Sequence, residues 1–180
     1  MPTGSEISCL TGGNHRRLLH FLREEWASLN RRIAAYDDEL AALTRDDEMA
    51  RRLATIPAIG VINATGLLAA IGDASAFAKG RDLAAWLGLT PRQHSTGGKT
   101  KMMGISKRGN KYLRTQLIHG ARAALVHFTK RMTPVGAWVR QLLTRAHPNV
   151  VVVELAAKLA RIAWAVLRHG RDYEHEVAMA

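Results

Sequence analysis

Between Leu83 and Val153 the sequence contains no aspartate and no glutamate, although this stretch holds 12 lysines and arginines. Residues 1–82 carry 10 basic residues against 11 acids, and residues 154–180 carry 4 against 4. The formal net charge of +11 therefore resides almost wholly in one segment. A helical surface normally intersperses acids among its bases, because like charges repel and opposite charges at helical spacing support the helix. The absence of acids excludes that arrangement and points to a polyanionic partner, nucleic acid ahead of an anionic membrane surface.

Cysteine is nearly absent as well. Cys9 stands alone, which excludes an internal disulfide framework and fits a reducing cytoplasm. No apolar run reaches membrane-spanning length, since the most hydrophobic tract, from Val150 to Leu167, is broken by Glu154, Lys158 and Arg161. The first residues lack the apolar core of a signal peptide, and the Gly-, Ser- and Thr-rich residues 1–15 read as a disordered lead. At 180 residues there is room for one compact domain and an extended arm.

The residues that are present organise the rest. Leu22, Trp26, Leu29, Ile33, Tyr36, Leu40 and Leu43 recur in alternating steps of four and three, the seam of a coiled-coil helix over residues 16–46 through which a homo-oligomer is expected. Asp37, Asp38 and Glu39, and further on Asp46, Asp47 and Glu48, fall on its polar side among arginines and read as solvated surface rather than metal ligands. A compact helical domain is expected over 47–170, followed by a tail over 171–180. Within it, Asp47 to Thr55 and Val61 to Ile71 read as two helices joined by the Ile56-Pro57-Ala58-Ile59-Gly60 turn, a helix-hairpin-helix spanning 49–72. Such a turn brings Pro57, Ile59 and Gly60 to a DNA phosphate, the exposed backbone amides that open its second helix making the hydrogen bonds. Ala58 stands where this kind of turn usually has a second glycine, which weakens the grip if that position needs a positive φ.

From Gly88 to Gly109 the sequence has five glycines, one proline and no helical period, and reads as a long, basic, Gly-rich loop. Asn110 then suits an N-cap for a helix running through Phe128, Thr133-Pro134 opens another, and Asn149 a last one ending near Gly170. The fold class expected is all-α. Trp86, Trp138 and Trp164 sit at apolar helical positions and read as core, and His119 and His127 read as polar core or DNA contacts.

Chemistry concentrates in the loop. Ser95 is flanked by His94, Thr96, Gly97, Gly98 and Lys99, so a hydroxyl lies where glycines permit close backbone approach and cations are near. Lys99, Lys101, Lys107 and Arg108 could polarise a phosphodiester, and His94 or a neighbouring group could take the hydroxyl proton. A passive phosphate-binding loop is the plainer reading of the same composition. The residues expected to meet DNA are Pro57, Ile59, Gly60, Arg92, Gly97, Gly98, Lys99, Lys101, Lys107, Arg108, Lys111, Arg114 and Arg122. No metal site is expected within the chain.

Several ordered motifs now fall into line. Ile56-Pro57-Ala58-Ile59-Gly60, Ala85-Trp86-Leu87-Gly88-Leu89-Thr90-Pro91, Ser95-Thr96-Gly97-Gly98-Lys99, Ile105-Ser106-Lys107-Arg108-Gly109-Asn110, Tyr112-Leu113-Arg114 and His119-Gly120-Ala121-Arg122 together resemble the C-terminal domain of the insertion sequence 110 family of transposases, relatives of the Piv and MooV invertases. The closing Lys158 to Leu167 resembles that family too. The resemblance implies a RuvC-like half with an Asp-Glu-Asp-Asp metal set binding Mg2+, a coiled coil, and a C-terminal domain whose serine cleaves DNA and joins it covalently. It also implies DNA and a structured guide RNA as partners. Carried onto this sequence, the serine maps to Ser95, with Thr96 and Ser106 as alternatives. Only residues 1–21 precede Leu22, with Glu6 their sole acid and no β-rich stretch, so the RuvC-like half is expected to be absent. The alternative function is a catalytically inert DNA- or RNA-binding remnant that interferes with a full-length transposase.

Overall fold

In the computed structural model, residues 4–174 are described, with side chains placed from residue 14 onward except that of Thr100. Seven helices and one hairpin follow in the order α1 (Gly4–Asp46), α2 (Glu48–Ala54), α3 (Val61–Ile71), α4 (Gly80–Trp86), β1 (Pro91–Thr96), β2 (Lys99–Ile105), α5 (Lys111–Lys130), α6 (Pro134–Leu143) and α7 (Pro148–His169). The chain divides into two units, residues 1–41 and 42–180.

The first unit is the long helix α1. It begins at Gly4, so the expectation of a disordered lead over residues 1–15 is corrected for residues 4–15. Glycine in a helix interior costs only about 1 kcal/mol against alanine, too little to stop a helix already propagating from the sequence behind it. Leu22, Trp26, Leu29, Ile33, Tyr36 and Leu43 are all exposed along this helix, Trp26 by 70%. Asp37, Asp38 and Glu39 are exposed as well.

The second unit is built around α7. Ten of its residues are buried, from Val151 and Val152 through Leu155, Leu159 and Ala163 to Val166 and Leu167. Burial on several sides explains why this tract is the most hydrophobic of the sequence. Helices α2, α4, α5 and α6 pack against it. Backbone of α4 comes close enough that a Cβ on Gly80 would press on the main chain of Arg161. Trp164 Nε1 donates to the Phe77 carbonyl at 2.9 Å, tying α7 to the segment before α4.

Most helix ends obey the sequence signals. Asp47 Oδ1 accepts from Ala50 N at 2.8 Å, Asn110 Oδ1 from Leu113 N at 3.1 Å and Thr133 Oγ1 from Gly136 N at 3.1 Å, each an N-cap. The last helix starts slightly earlier than expected, at Pro148, with His147 rather than Asn149 in the capping position. Gly170 closes it in the left-handed conformation at φ 61°. Beyond that cap the tail begins by folding back: Tyr173 N donates to Thr55 Oγ1 at 3.0 Å. Trp138 and Trp164 pack on the core, but Trp86 is 37% exposed and meets Phe77 edge to face at 5.7 Å.

One element departs from the all-α expectation. The segment read as a long irregular loop is an antiparallel two-stranded hairpin, β1 with β2. Its turn is Gly97-Gly98, with φ of 58° and 75°, the left-handed pair that a two-residue hairpin connection demands.

Candidate nucleic-acid interface

Two structures on the helical body deserve description residue by residue: the turn between α2 and α3, and the hairpin with the clasp at its base. In the first, Ile59 N donates to the Ile56 carbonyl at 3.0 Å, closing a four-residue turn with Pro57 second and Ala58 third. Ala58 has φ 78°, so the position does require the left-handed backbone that glycine supplies most cheaply. Gly60 caps α3 without a side-chain hydrogen bond and is exposed, whereas the Ile59 side chain is buried and its N–H is already given to the Ile56 carbonyl. Beneath the turn, Asn63 is buried. Its Nδ2 lies 3.4 Å from the Ala58 carbonyl and 3.5 Å from that of Gln116, and its Oδ1 has no hydrogen-bond partner among the described residues. Helix α5 passes so close that a Cβ on Gly120 would overlap the Ala58 carbonyl oxygen. Neither Asn63 nor Gly120 is marked as a site residue by the sequence; the one signal for Asn63 is a carboxamide in a helix whose other polar side chain is Thr65.

At the hairpin base, two positive-φ glycines interlock. A Cβ on Gly88 would overlap the Arg108 carbonyl oxygen, and one on Gly109 would overlap that of Trp86. Ser106 N donates to the Thr90 carbonyl at 2.9 Å and Lys107 N to that of Gly88 at 3.1 Å. Arg114 completes the clasp. It is 9% exposed, and its Nη1 donates to the carbonyls of Leu87 at 3.0 Å and Arg108 at 3.3 Å. The expectation that Arg114 meets DNA is therefore corrected: its guanidinium is occupied by backbone on both sides of the hairpin.

The other expected contacts are open to solvent. Arg92, Gly97, Gly98, Lys99, Lys101, Lys107, Arg108, Lys111 and Arg122 are all exposed, while Pro57 is half-buried. Along α5, Lys111, Thr115, His119 and Arg122 are exposed at helical spacing and make a basic stripe. His127 is exposed too, so neither histidine of this helix belongs to the core.

In the hairpin, the ladder register pairs His94 with Lys101, Ser95 with Thr100 and Thr96 with Lys99. Thr96 Oγ1 lies 3.2 Å from His94 Nδ1, and Gln93 Nε2 donates to Ser95 Oγ at 3.3 Å. The imidazole of His94 thus lies against the Thr96 hydroxyl. Among the described residues no three His, Cys, Asp or Glu side chains gather as they would to hold a metal ion. No helix described is long and apolar enough to cross a membrane. Burial, then Arg161, lowers the Lys158 ammonium, and burial raises the Tyr173 phenol.

The helical body thus carries an exposed basic hairpin and an exposed basic stripe along α5. Residues 50–136 match the family described as Transposase IS116/IS110/IS902, and this domain belongs to it. A probable family 20 transposase of Pseudomonas aeruginosa is 47% identical over 156 residues, covering 87% of this chain and 46% of that protein. The transposase for insertion sequence element IS1111A of Coxiella burnetii is 40% identical over 88% of this chain and 43% of its own length. A pilin gene-inverting protein of Moraxella bovis is 34% identical over 69% of this chain and 38% of its own. The chain thus spans less than half the length of these relatives.

Proposed function

We propose that this chain is the DNA-binding C-terminal part of an insertion-sequence transposase, and that its hairpin delivers a side-chain hydroxyl to a DNA phosphodiester. The observation that carries the reading is the exposure of ten of the 12 basic residues of the acid-free segment, on a domain of the transposase family. Sequence resemblance nominates Ser95 for the hydroxyl and adds a guide RNA to the partners. The exposed amides at Gly60 and the stripe from Lys111 to Arg122 would hold phosphates, fixing register without reading bases. An acidic RuvC-like half, with its Mg2+, would supply the metal chemistry.

Affinity for duplex DNA is expected to fall steeply with salt, as phosphate contacts release counterions. The double variant Lys111→Glu/Arg122→Glu should bind about 10- to 100-fold more weakly near 0.1 M salt, with a log–log salt slope shallower by about two. Fluorescence anisotropy across a salt series reads both quantities. Binding indifferent to salt would remove the reading.

The apolar stripe of α1 is proposed to pair with a second copy of the chain. Exposed Leu22, Trp26, Leu29 and Ile33 repeat at the four–three spacing that knobs-into-holes packing requires. Light scattering should give a mass above that of one chain, reduced to one chain by Ile33→Glu. A monomeric wild type would dismiss the pairing.

A further inference from the structure

We propose that the hydroxyl delivered to the phosphodiester is that of Thr96, with His94 as its general base and Lys99 and Lys101 as the charges that receive the phosphate. This assignment rests on the strand-attack reading above and decides which side chain performs the attack.

Phosphoryl transfer asks three things of a nucleophile's surroundings: a base within hydrogen-bond reach, positive charge beside the phosphate oxygens, and an open approach. The hairpin sorts its residues against these demands by register. In an antiparallel ladder, residues opposite one another share a face and successive residues alternate. Thr96 opposite Lys99 and His94 opposite Lys101 therefore stand together on one face. All four side chains are exposed, so a phosphate can reach them. Thr96 Oγ1 and His94 Nδ1 are 3.2 Å apart, and with Nδ1 unprotonated the hydroxyl donates to it, the arrangement of a base-activated nucleophile.

Ser95 meets the demands less well although it is adjacent in sequence. A single-residue step turns a side chain to the other face of a strand. There Ser95 accepts from the carboxamide Nε2 of Gln93 at 3.3 Å. His94, Lys99 and Lys101 lie on the face that Ser95 does not share.

In the step itself, Thr96 Oγ attacks phosphorus while its proton passes to His94 Nδ1. The Oγ–P bond forms, the P–O bond to the departing deoxyribose oxygen breaks, and the electron pair leaves on that oxygen, which is protonated by water. The strand remains attached as a phosphothreonine diester. Attack by a DNA hydroxyl on the same phosphorus rejoins the strand, and Thr96 recovers its proton from His94.

The test incubates the full chain, alone and with a full-length relative, with terminal-end duplexes carrying sulfur in place of the bridging oxygen, on either side of the phosphate in separate substrates. The departing thiolate traps the covalent product, which is counted on denaturing gels and mapped by mass spectrometry of the peptides. The expected result is phosphate on Thr96, retained by Thr96→Ser and lost at least about 100-fold in Thr96→Ala. With the all-oxygen substrate, His94→Gln should slow adduct formation by about 100-fold or more, as removal of a general base does. Phosphate mapped to Ser95, or an adduct that survives Thr96→Ala and disappears in Ser95→Ala, overturns the Thr96 assignment and leaves the strand-attack reading standing. No adduct from wild type in either setting overturns that reading and this assignment together.

Discussion

Gly109→Ala is expected to lower the stability of the helical domain by about 4 kcal/mol or more, well into the range that marks a backbone clash rather than a lost contact. The added Cβ would overlap the carbonyl oxygen of Trp86, and Gly109 holds φ 87°, where L side chains are disfavoured. What it meets is main chain in the last turn of α4, which cannot swing aside as a side chain could. Relief requires parting the hairpin base from the helix, and that breaks the hydrogen bonds of Ser106 and Lys107 to the Thr90 and Gly88 carbonyls. Gly97→Ala provides the comparison: it has φ 58° but nothing within 4 Å of a new Cβ, so only the local backbone penalty of about 1–2 kcal/mol applies. Urea denaturation of the two variants against wild type reads the difference. Equal midpoints for Gly97→Ala and Gly109→Ala would mean that the interlock is not there.

Arg114→Ala should cost about 3 kcal/mol, the scale for removing a charged donor from buried carbonyls. Two acceptors, on Leu87 and Arg108, would lose their shared donor at once. The second readout separates a structural arginine from a DNA contact. If Arg114 works inside the clasp, the folded variant keeps the wild-type salt slope for DNA binding, whereas loss of a phosphate contact would make the slope shallower by about one. A shallower slope with an unchanged unfolding midpoint would return Arg114 to the DNA-binding surface.

Arg114 also illustrates where sequence reasoning stops. Its residue type and the basic segment around it were legible, but charge says nothing about burial, and the carbonyls it serves lie 27 and 6 positions away in sequence. Helices α2, α5, α6 and α7 are legible because each has a signal at its own ends: caps at Asp47, Asn110 and Thr133, the Pro57 break, the glycine at 170. The hairpin was missed for a physical reason too. Arg92 through Thr96 are all polar and exposed, so no alternation of apolar and polar residues betrays a strand. Gly97-Gly98 was the one local hint of a two-residue connection, and it was read as part of general glycine richness. That miss carried over to the site, since only the register separates Ser95 from the lysines beside it in sequence. The turn at Ala58 went the other way: the conditional drawn from the sequence, that a positive φ there would make alanine a poor fit, is met at φ 78°.

Among the described residues of the hairpin, only Ile105, at the end of β2 next to the clasp, is an apolar side chain packed against the core. Its outer part is consequently a ruler whose length can be rewritten without disturbing what it stands on. Inserting two residues into each strand would carry the Gly-Gly tip outward by about 7 Å and, because two is the period of the pleat, leave every side chain on its present side. Inserting one into each would advance the tip by about half as much and reverse the sides. Length and facing are separately adjustable here, and the distance at which a strand is met becomes a property that relatives of this domain could set by counting residues.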